Sequence, residues 1–146
     1  MANPIEGEAE QRYVVRGLRH KHPKWSDRPE GFLVLPTAVM LRSLKSGPEV
    51  GLSVFHSTAD LDGLLASPVL RFKALAAIDL EILFQWGLRI ETKPHDPTAA
   101  EVLGLPSPDD PRALNFALDL SPALKIIRPP SSDELVALQL DWERTR

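Results

Sequence analysis

The sequence contains no cysteine, which excludes disulfides, thiolate metal sites and cysteine nucleophiles. It also lacks an apolar run of about 20 residues, the length that a membrane-spanning helix needs. Its longest apolar run, residues 74–86, is interrupted by Asp79, Glu81 and Gln85. There is no excess of positive charge: the formal net charge is -3, which argues against a surface built wholly for nucleic acid or acidic membranes. We therefore expect a protein without membrane association that rests on its core, and the cytoplasm is the simplest compartment.

The composition is that of one folded domain, with 43% hydrophobic and 25% charged residues in a chain of 146. Residues 1–10 contain three glutamates and no apolar run, which predicts a flexible leader without an export signal. Residues 11–146 then form a single globular domain. After two prolines, Ser131 and Glu134 have the spacing of a capping box, which predicts a peripheral C-terminal helix over residues 132–144.

Strands are predicted where β-branched and aromatic residues are concentrated or where apolar and polar residues alternate. The clearest alternation is in residues 88–93, where Leu88, Ile90 and Thr92 are each followed by a charged residue. Such half-polar strands indicate an antiparallel or mixed sheet, and we expect about four to five strands. The predicted strands are residues 12–18, 32–35, 50–55, 88–93 and 114–120.

The longest predicted helix is a central one over residues 68–86. Ser67-Pro68 suits its start, Gly87 suits a left-handed stop, and apolar residues cover most of its circumference. Its first few residues alternate between apolar and charged and also fit a strand. Smaller flanking helices are predicted over residues 37–44, 58–65 and 98–103, while residues 121–127 fit either a helix or a strand. The fold class is thus α+β. The expected core residues on the central helix are Leu75, Ile78, Ile82 and Leu83.

The densest polar cluster lies in residues 12–28, where six lysines and arginines accompany only Asp27. Such a segment can hold phosphate or a nucleic acid, although the same charges fit an ordinary solvated loop. Trp25 in this segment and Trp142 on the C-terminal helix are the candidate partner-binding residues. The candidate anion-binding residues are Arg16, Arg19, Lys21, Lys24 and Arg28.

Three histidines are candidate catalytic residues: His20, His22 and His56. His56 follows a predicted strand, where it could act as a base together with Ser53, Ser57 or Arg19. His20 and His22 could share a metal with a third ligand such as His56 or the His95-Asp96 pair, but their spacing does not require it. Phosphate-loop and dinucleotide glycine patterns are absent. We therefore predict no metal and no cofactor.

The absence of catalytic motifs favours a small intracellular interaction or regulatory protein of a bacterial kind, such as one member of a two-gene toxin–antitoxin or defence system, with a protein partner. The alternative is a small transferase or nuclease that acts on a nucleotide or RNA through the arginines and histidines named above. The enzyme requires these residues to line one concave pocket. It also requires the strands that precede His20 and His56 to be parallel neighbours, because antiparallel pairing would separate the two histidines.

Overall fold

A computed structural model describes residues 12–19, 22–25 and 32–129. The predicted leader, residues 1–10, and the predicted helix over 132–144 lie outside these residues. The strands are β1 (Tyr13–Leu18), β2 (Pro23–Trp25), β3 (Phe32–Val34), β4 (Ser43–Leu44), β5 (Gly47–Pro48), β6 (Gly51–His56), β7 (Ala74–Asp79), β8 (Arg89–Lys93), β9 (Asp96–Leu103) and β10 (Lys125–Arg128). The helices are α1 (Leu61–Ala66), α2 (Leu80–Gln85) and α3 (Ala113–Leu120), and Pro36–Val39 and Ser121–Ala123 form 3₁₀ turns.

The α+β prediction is confirmed, although the main sheet has six strands and not four to five. Their order is β10-β7-β1-β6-β9-β8, and every neighbouring pair is antiparallel. The pairs β2–β3 and β4–β5 form two further small sheets. Among the described residues, no helix has the length and apolar character needed to cross a membrane.

The predicted central helix over residues 68–86 is wrong, because residues 74–79 form strand β7 and only Leu80–Gln85 is helical. Strand β7 lies between β1 and β10 and is buried on both faces, so its sequence does not alternate. A strand covered on both sides is a continuous apolar run, which resembles a buried helix. Leu75, Ile78 and Leu83 are nevertheless buried as expected, whereas Ile82 is only half-buried.

Two other segments have the opposite conformation to the one predicted. Residues 98–103 belong to strand β9 and not to a short helix, and residues 114–120 belong to helix α3 and not to a strand. In α3 the buried positions are Ala113, Ala117 and Leu120, a spacing of three and four residues that places them on one side of a helix. The two-residue alternation of leucines in the same segment concealed this helical spacing.

The core is divided between the two faces of the sheet. On one face, Val14 and Leu18 of β1 and Val54 of β6 belong to the larger apolar cluster, which includes the inner side of α3. On the other face, Val15, Phe72 and Leu75 form a smaller cluster that half-buried leucines of α1 complete. Phe72 of this smaller cluster also lines a cavity at the sheet.

Candidate functional site

A cavity of about 430 Å³ lies beside the junction between β1 and β6. These strands pair only at Val14–His56 and Val15–Phe55, whereas β1 pairs with β7 along its whole length. If the pairing with β6 continued, Gly17 would face Ser53. The strands separate instead, and the cavity occupies the opening. Its charged lining residues are Arg16, Arg19, Arg42, Lys93 and Glu49, and its apolar ones are Met40, Leu41, Phe55, Leu70 and Phe72.

The side chain of Arg16 bridges the opening. Its Nη1 donates a hydrogen bond to the Ser53 carbonyl oxygen at 2.9 Å, and its Nε donates to the Ala38 carbonyl oxygen at 2.8 Å. The guanidinium thus satisfies a Ser53 carbonyl that the separated strands leave without a ladder partner. Burial, followed by the nearby positive charge of Arg19, lowers the pKa of Arg16 to about 10. No carboxylate of the described residues forms a salt bridge with it, so a bound anion would stabilise its charge.

Lys93 approaches the same serine from the other side. Lys93 is the last residue of β8, and its Nζ lies 3.3 Å from Ser53 Oγ. In the register of the sheet, Ser53 faces Glu101 and Glu101 faces Glu91, and Lys93 follows Glu91 after a register shift between Thr92 and Lys93. An ammonium and a guanidinium therefore converge on Ser53 from two strands that are not neighbours.

Arg42 and Glu49 form the ion pair of the cavity wall. Arg42 Nε and Nη2 donate to the two carboxylate oxygens of Glu49 at 3.1 Å each, and the Arg42 backbone N–H donates at 2.7 Å. Burial alone would raise the pKa of Glu49, but the bonds from Arg42 and the charges of Arg42 and Arg16 outweigh it and lower this pKa. The side-chain hydrogen bonds that Arg42 donates to Glu49 in turn raise the pKa of Arg42. The charge of Arg42 is thus matched within the protein.

Arg19 lies at the rim of the cavity above an aromatic ring. Its guanidinium carbon is 5.4 Å from the centroid of the Phe72 ring, a cation–π arrangement, and the residue is exposed. The Phe72 ring packs over Gly17, where a Cβ atom would come within 2.3 Å of the ring tip. Glycine at this position of β1 therefore allows Phe72 to lie under Arg19.

His22 is a buried residue of the same wall, with 4% of its surface exposed. Its Nδ1 accepts a hydrogen bond from the Arg19 backbone N–H at 3.2 Å, and the backbone N–H of His22 donates to the Arg19 carbonyl oxygen at 2.9 Å. These two bonds hold His22 against the backbone of Arg19 at the end of β1. Because Nδ1 accepts, a neutral His22 carries its ring proton on Nε2.

The structure brings together three of the residues that the sequence singled out, namely Arg16, Arg19 and His22. His56 is not among them. The antiparallel register places it opposite Val14, at the other end of β1 from His22, and its Nε2 lies 2.9 Å from Thr92 Oγ1 on the opposite face from Ser53. The parallel pairing that a joint site with His56 requires is therefore contradicted.

The remaining candidate residues are not assigned to the cavity. His20, Lys21, Arg28 and Trp142 lie outside the described residues, and Lys24 and Trp25 are described only as backbone of β2. The roles predicted for them stay predictions. Among the residues that the structure does describe, no group of three or more histidine, aspartate or glutamate side chains has the arrangement to hold a metal.

Sequence reasoning missed Lys93, Arg42 and Glu49, and it named Ser53 only as a partner for His56. A signal for Arg42 and Glu49 was present, because opposite charges stand on either side of the Ser46-Gly47-Pro48 turn and a hairpin there brings them together. No comparable signal exists for Lys93. In comparisons with known proteins, no family model, no curated protein and no solved structure matches this chain.

Proposed function

We propose that this protein binds a small organic anion in the cavity beside the β1–β6 junction. The observation that carries the proposal is the convergence of Arg16 and Lys93 on Ser53, where neither cation forms a salt bridge with a carboxylate of the described residues. Cations that are held in place before a ligand arrives attract anions and bind them with charge-assisted hydrogen bonds. Half-buried Met40, Phe55 and Leu70 offer apolar surface to the rest of the ligand.

The charge balance of the wall supports an anionic ligand. Four cationic side chains and one carboxylate line the cavity among the described residues, and that carboxylate already pairs with Arg42. Three of the four cations therefore have no salt bridge to a carboxylate among the described residues, in a protein whose overall formal charge is -3. Locally concentrated positive charge in a protein of opposite net charge steers anions to one place.

Calorimetric titration with phenyl phosphate at low ionic strength tests this proposal. We expect Lys93→Gln to weaken binding by about tenfold or more, because hydrogen bonds to charged groups contribute about 1.5–3 kcal/mol. The matched control is Lys125→Gln, which removes the same charge from the exposed first residue of β10, the other edge strand. Equal affinities of these two variants, or no binding by the unmodified protein, would contradict the proposal.

A transferase or nuclease that acts on a nucleotide or RNA is a second candidate function. The observation that favours it is the position of His22 on the same wall as Arg16 and Arg19, since an imidazole beside cationic residues can transfer protons to a bound phosphoryl group. Product analysis after incubation with a dinucleotide tests it. A catalytic His22 predicts that His22→Asn, whose side-chain oxygen can still accept the hydrogen bond from the Arg19 N–H, lowers the rate of product formation and leaves ligand affinity nearly unchanged.

The predicted protein partner and the two-gene role stay predictions. Both candidate anchors, the Trp25 side chain and Trp142, lie outside what the structure describes. The exposed apolar side chains that the structure does describe include Leu114 and Leu118, which lie one turn apart on α3. Small-anion binding is the function that the geometry supports directly.

A further inference from the structure

The cations of the cavity differ in what they contact. Arg16 and Lys93 meet at Ser53, within the opening of the sheet, whereas Arg19 lies at the rim above Phe72. Arg42 is bound by Glu49 in a two-point ion pair and so contributes little unmatched charge. A ligand in the cavity therefore meets two cations at Ser53, a dicationic centre, and a third cation above an aromatic ring.

The dicationic centre matches a phosphomonoester better than a carboxylate. A phosphomonoester carries a charge of about -1.5 to -2 at neutral pH and has three strong acceptor oxygens, which suits two cations. Arg16 has five N–H donors; among the described residues, two of them bond to the Ala38 and Ser53 carbonyl oxygens, which leaves others for a ligand. A carboxylate would leave positive charge unmatched, and a triphosphate would bring more negative charge than the two cations can match.

The rim offers a surface for stacking. Arg19 is exposed at the rim, and nucleobases stack on the planar faces of guanidinium groups. The hydrogen bonds of His22 hold the backbone of Arg19, and Gly17 leaves space for the Phe72 ring beneath the Arg19 guanidinium. The cavity volume of about 430 Å³ is within the range of small-molecule sites, so the cavity can hold a small ligand.

We propose that the ligand is a nucleoside monophosphate, with its phosphate held by Arg16, Lys93 and Ser53 and its base stacked on Arg19. This inference rests on the proposed anion-binding function and adds the chemical class of the anion. Arg19 favours ligands that have a base over those that have none, and the dicationic centre of Arg16 and Lys93 favours ligands that have a phosphate. A single-stranded RNA would use the same two features, but it would need a further contact surface beyond the cavity.

The decisive experiment compares adenosine monophosphate, ribose phosphate and adenosine by calorimetric titration of the full chain at low salt. We expect adenosine monophosphate to bind about tenfold or more tightly than ribose phosphate, because stacking strengthens binding by that order. Arg19→Lys keeps the charge but removes the plane. It should therefore reduce the affinity for adenosine monophosphate to that for ribose phosphate, while the affinity for ribose phosphate changes by less than about twofold.

Lys93→Gln should weaken both phosphates by similar factors, and Lys125→Gln should weaken neither. Equal binding of both phosphates by the unmodified protein would overturn the nucleotide inference and leave the anion-binding function in place. Binding of adenosine as tight as that of its monophosphate would overturn the role of the phosphate. If neither phosphate binds, the proposed function falls as well. Tighter binding of a short single-stranded RNA than of the mononucleotide would overturn the small-molecule site.

Discussion

Strand β1 pairs with β7 along its whole length but with β6 only through Val14 and Val15. On the β7 side, residues from Tyr13–Asp79 to Leu18–Ala74 are in continuous register, and the β7 residues are nearly all buried. On the β6 side, the strands separate where Arg16 follows Val15, and charged side chains surround the opening. The same strand therefore contributes to a continuous apolar core on one side and to a binding cavity on the other.

This difference has a local cause. Extended backbone needs a hydrogen-bond partner for every N–H and C=O group, which β7 supplies to one edge of β1. On the other edge, the Arg16 guanidinium replaces a strand partner for the Ser53 carbonyl, so the sheet opens without a buried unsatisfied carbonyl there. The side chains at the two junctions should therefore respond differently to substitution: those beside β7 through stability, and those beside β6 mainly through binding.

The largest expected effect is on the closed side. Leu75→Ala in β7 removes a side chain that is fully buried, and we expect it to lower the free energy of unfolding by about 2–5 kcal/mol. Urea denaturation measures this loss. The control is Leu114→Ala on the outer side of α3, where the residue is 52% exposed and a change within about 0.5 kcal/mol is expected. A loss below about 1 kcal/mol for Leu75→Ala would mean that β7 is not the centre of the core.

The next largest effect is expected at Gly17 of β1, where the pairing with β7 continues but the pairing with β6 has ended. Gly17→Ala places a Cβ atom against the tip of the Phe72 ring, at 2.3 Å in the present geometry. The ring must move, which should lower the free energy of unfolding by about 1–3 kcal/mol and weaken ligand binding by displacing the ring beneath Arg19. Phe72→Leu should relieve this clash, so the double variant should lose less stability than the sum of the two single ones. Additive losses would show that Phe72 does not determine the cost.

Sequence reasoning identified the strands at the open junction but not their pairing. The alternation in residues 88–93 and the β-rich content of residues 12–18 and 50–55 indicated β8, β1 and β6, which the structure confirms. Pairing depends on contacts between distant residues, and local patterns do not encode it. For the same reason the histidine hypothesis, which required parallel neighbours at His56, could not be resolved without the register.

The sequence was most misleading where burial was greatest. Residues 74–79 have no polar face, so their periodicity carries no information about helix or strand. The candidate site shows a related limit. Arg16 and Arg19 were found because positive charges cluster along the chain, whereas Lys93 lies far from them in sequence and reaches Ser53 only across the folded sheet. Clusters in sequence can be read directly, but clusters that form by folding require the topology.

A smaller effect is expected at Glu49, on the open side. The folded-state pKa of Glu49 lies below its ordinary value of 4.5, so its stabilising contribution is present above that value and is lost as the pH falls through the lower, folded-state pKa. Glu49→Gln should therefore remove part of the acid-induced loss of stability, an effect of about 1 kcal/mol because Arg42 is largely exposed. Urea denaturation of both proteins over a range of acidic pH measures it.

The same substitution should also tighten phenyl phosphate binding, because it removes the one carboxylate that lines the cavity among the described residues and leaves the charge of Arg42 unmatched. We expect an increase of several-fold at low salt that becomes smaller as salt is added. The matched control is Glu81→Gln, an exposed carboxylate on α2 that does not line this cavity. Unchanged or weaker binding by Glu49→Gln would show that its pair with Arg42 organises the site more than it repels anions.

The smallest effect is expected at His56, the residue where the β1–β6 pairing is still closed. Its imidazole is hydrogen-bonded to Thr92, on the opposite face from Ser53. His56→Ala should therefore change the free energy of unfolding by no more than about 1 kcal/mol, the worth of an exposed hydrogen bond, and should leave phenyl phosphate affinity unchanged. His22→Ala should weaken phenyl phosphate binding, because the His22 side chain accepts a hydrogen bond that holds the backbone of Arg19. If His56→Ala weakened binding as much as His22→Ala does, the site would extend through the closed part of the junction, and the division of β1 into a structural side and a binding side would be wrong.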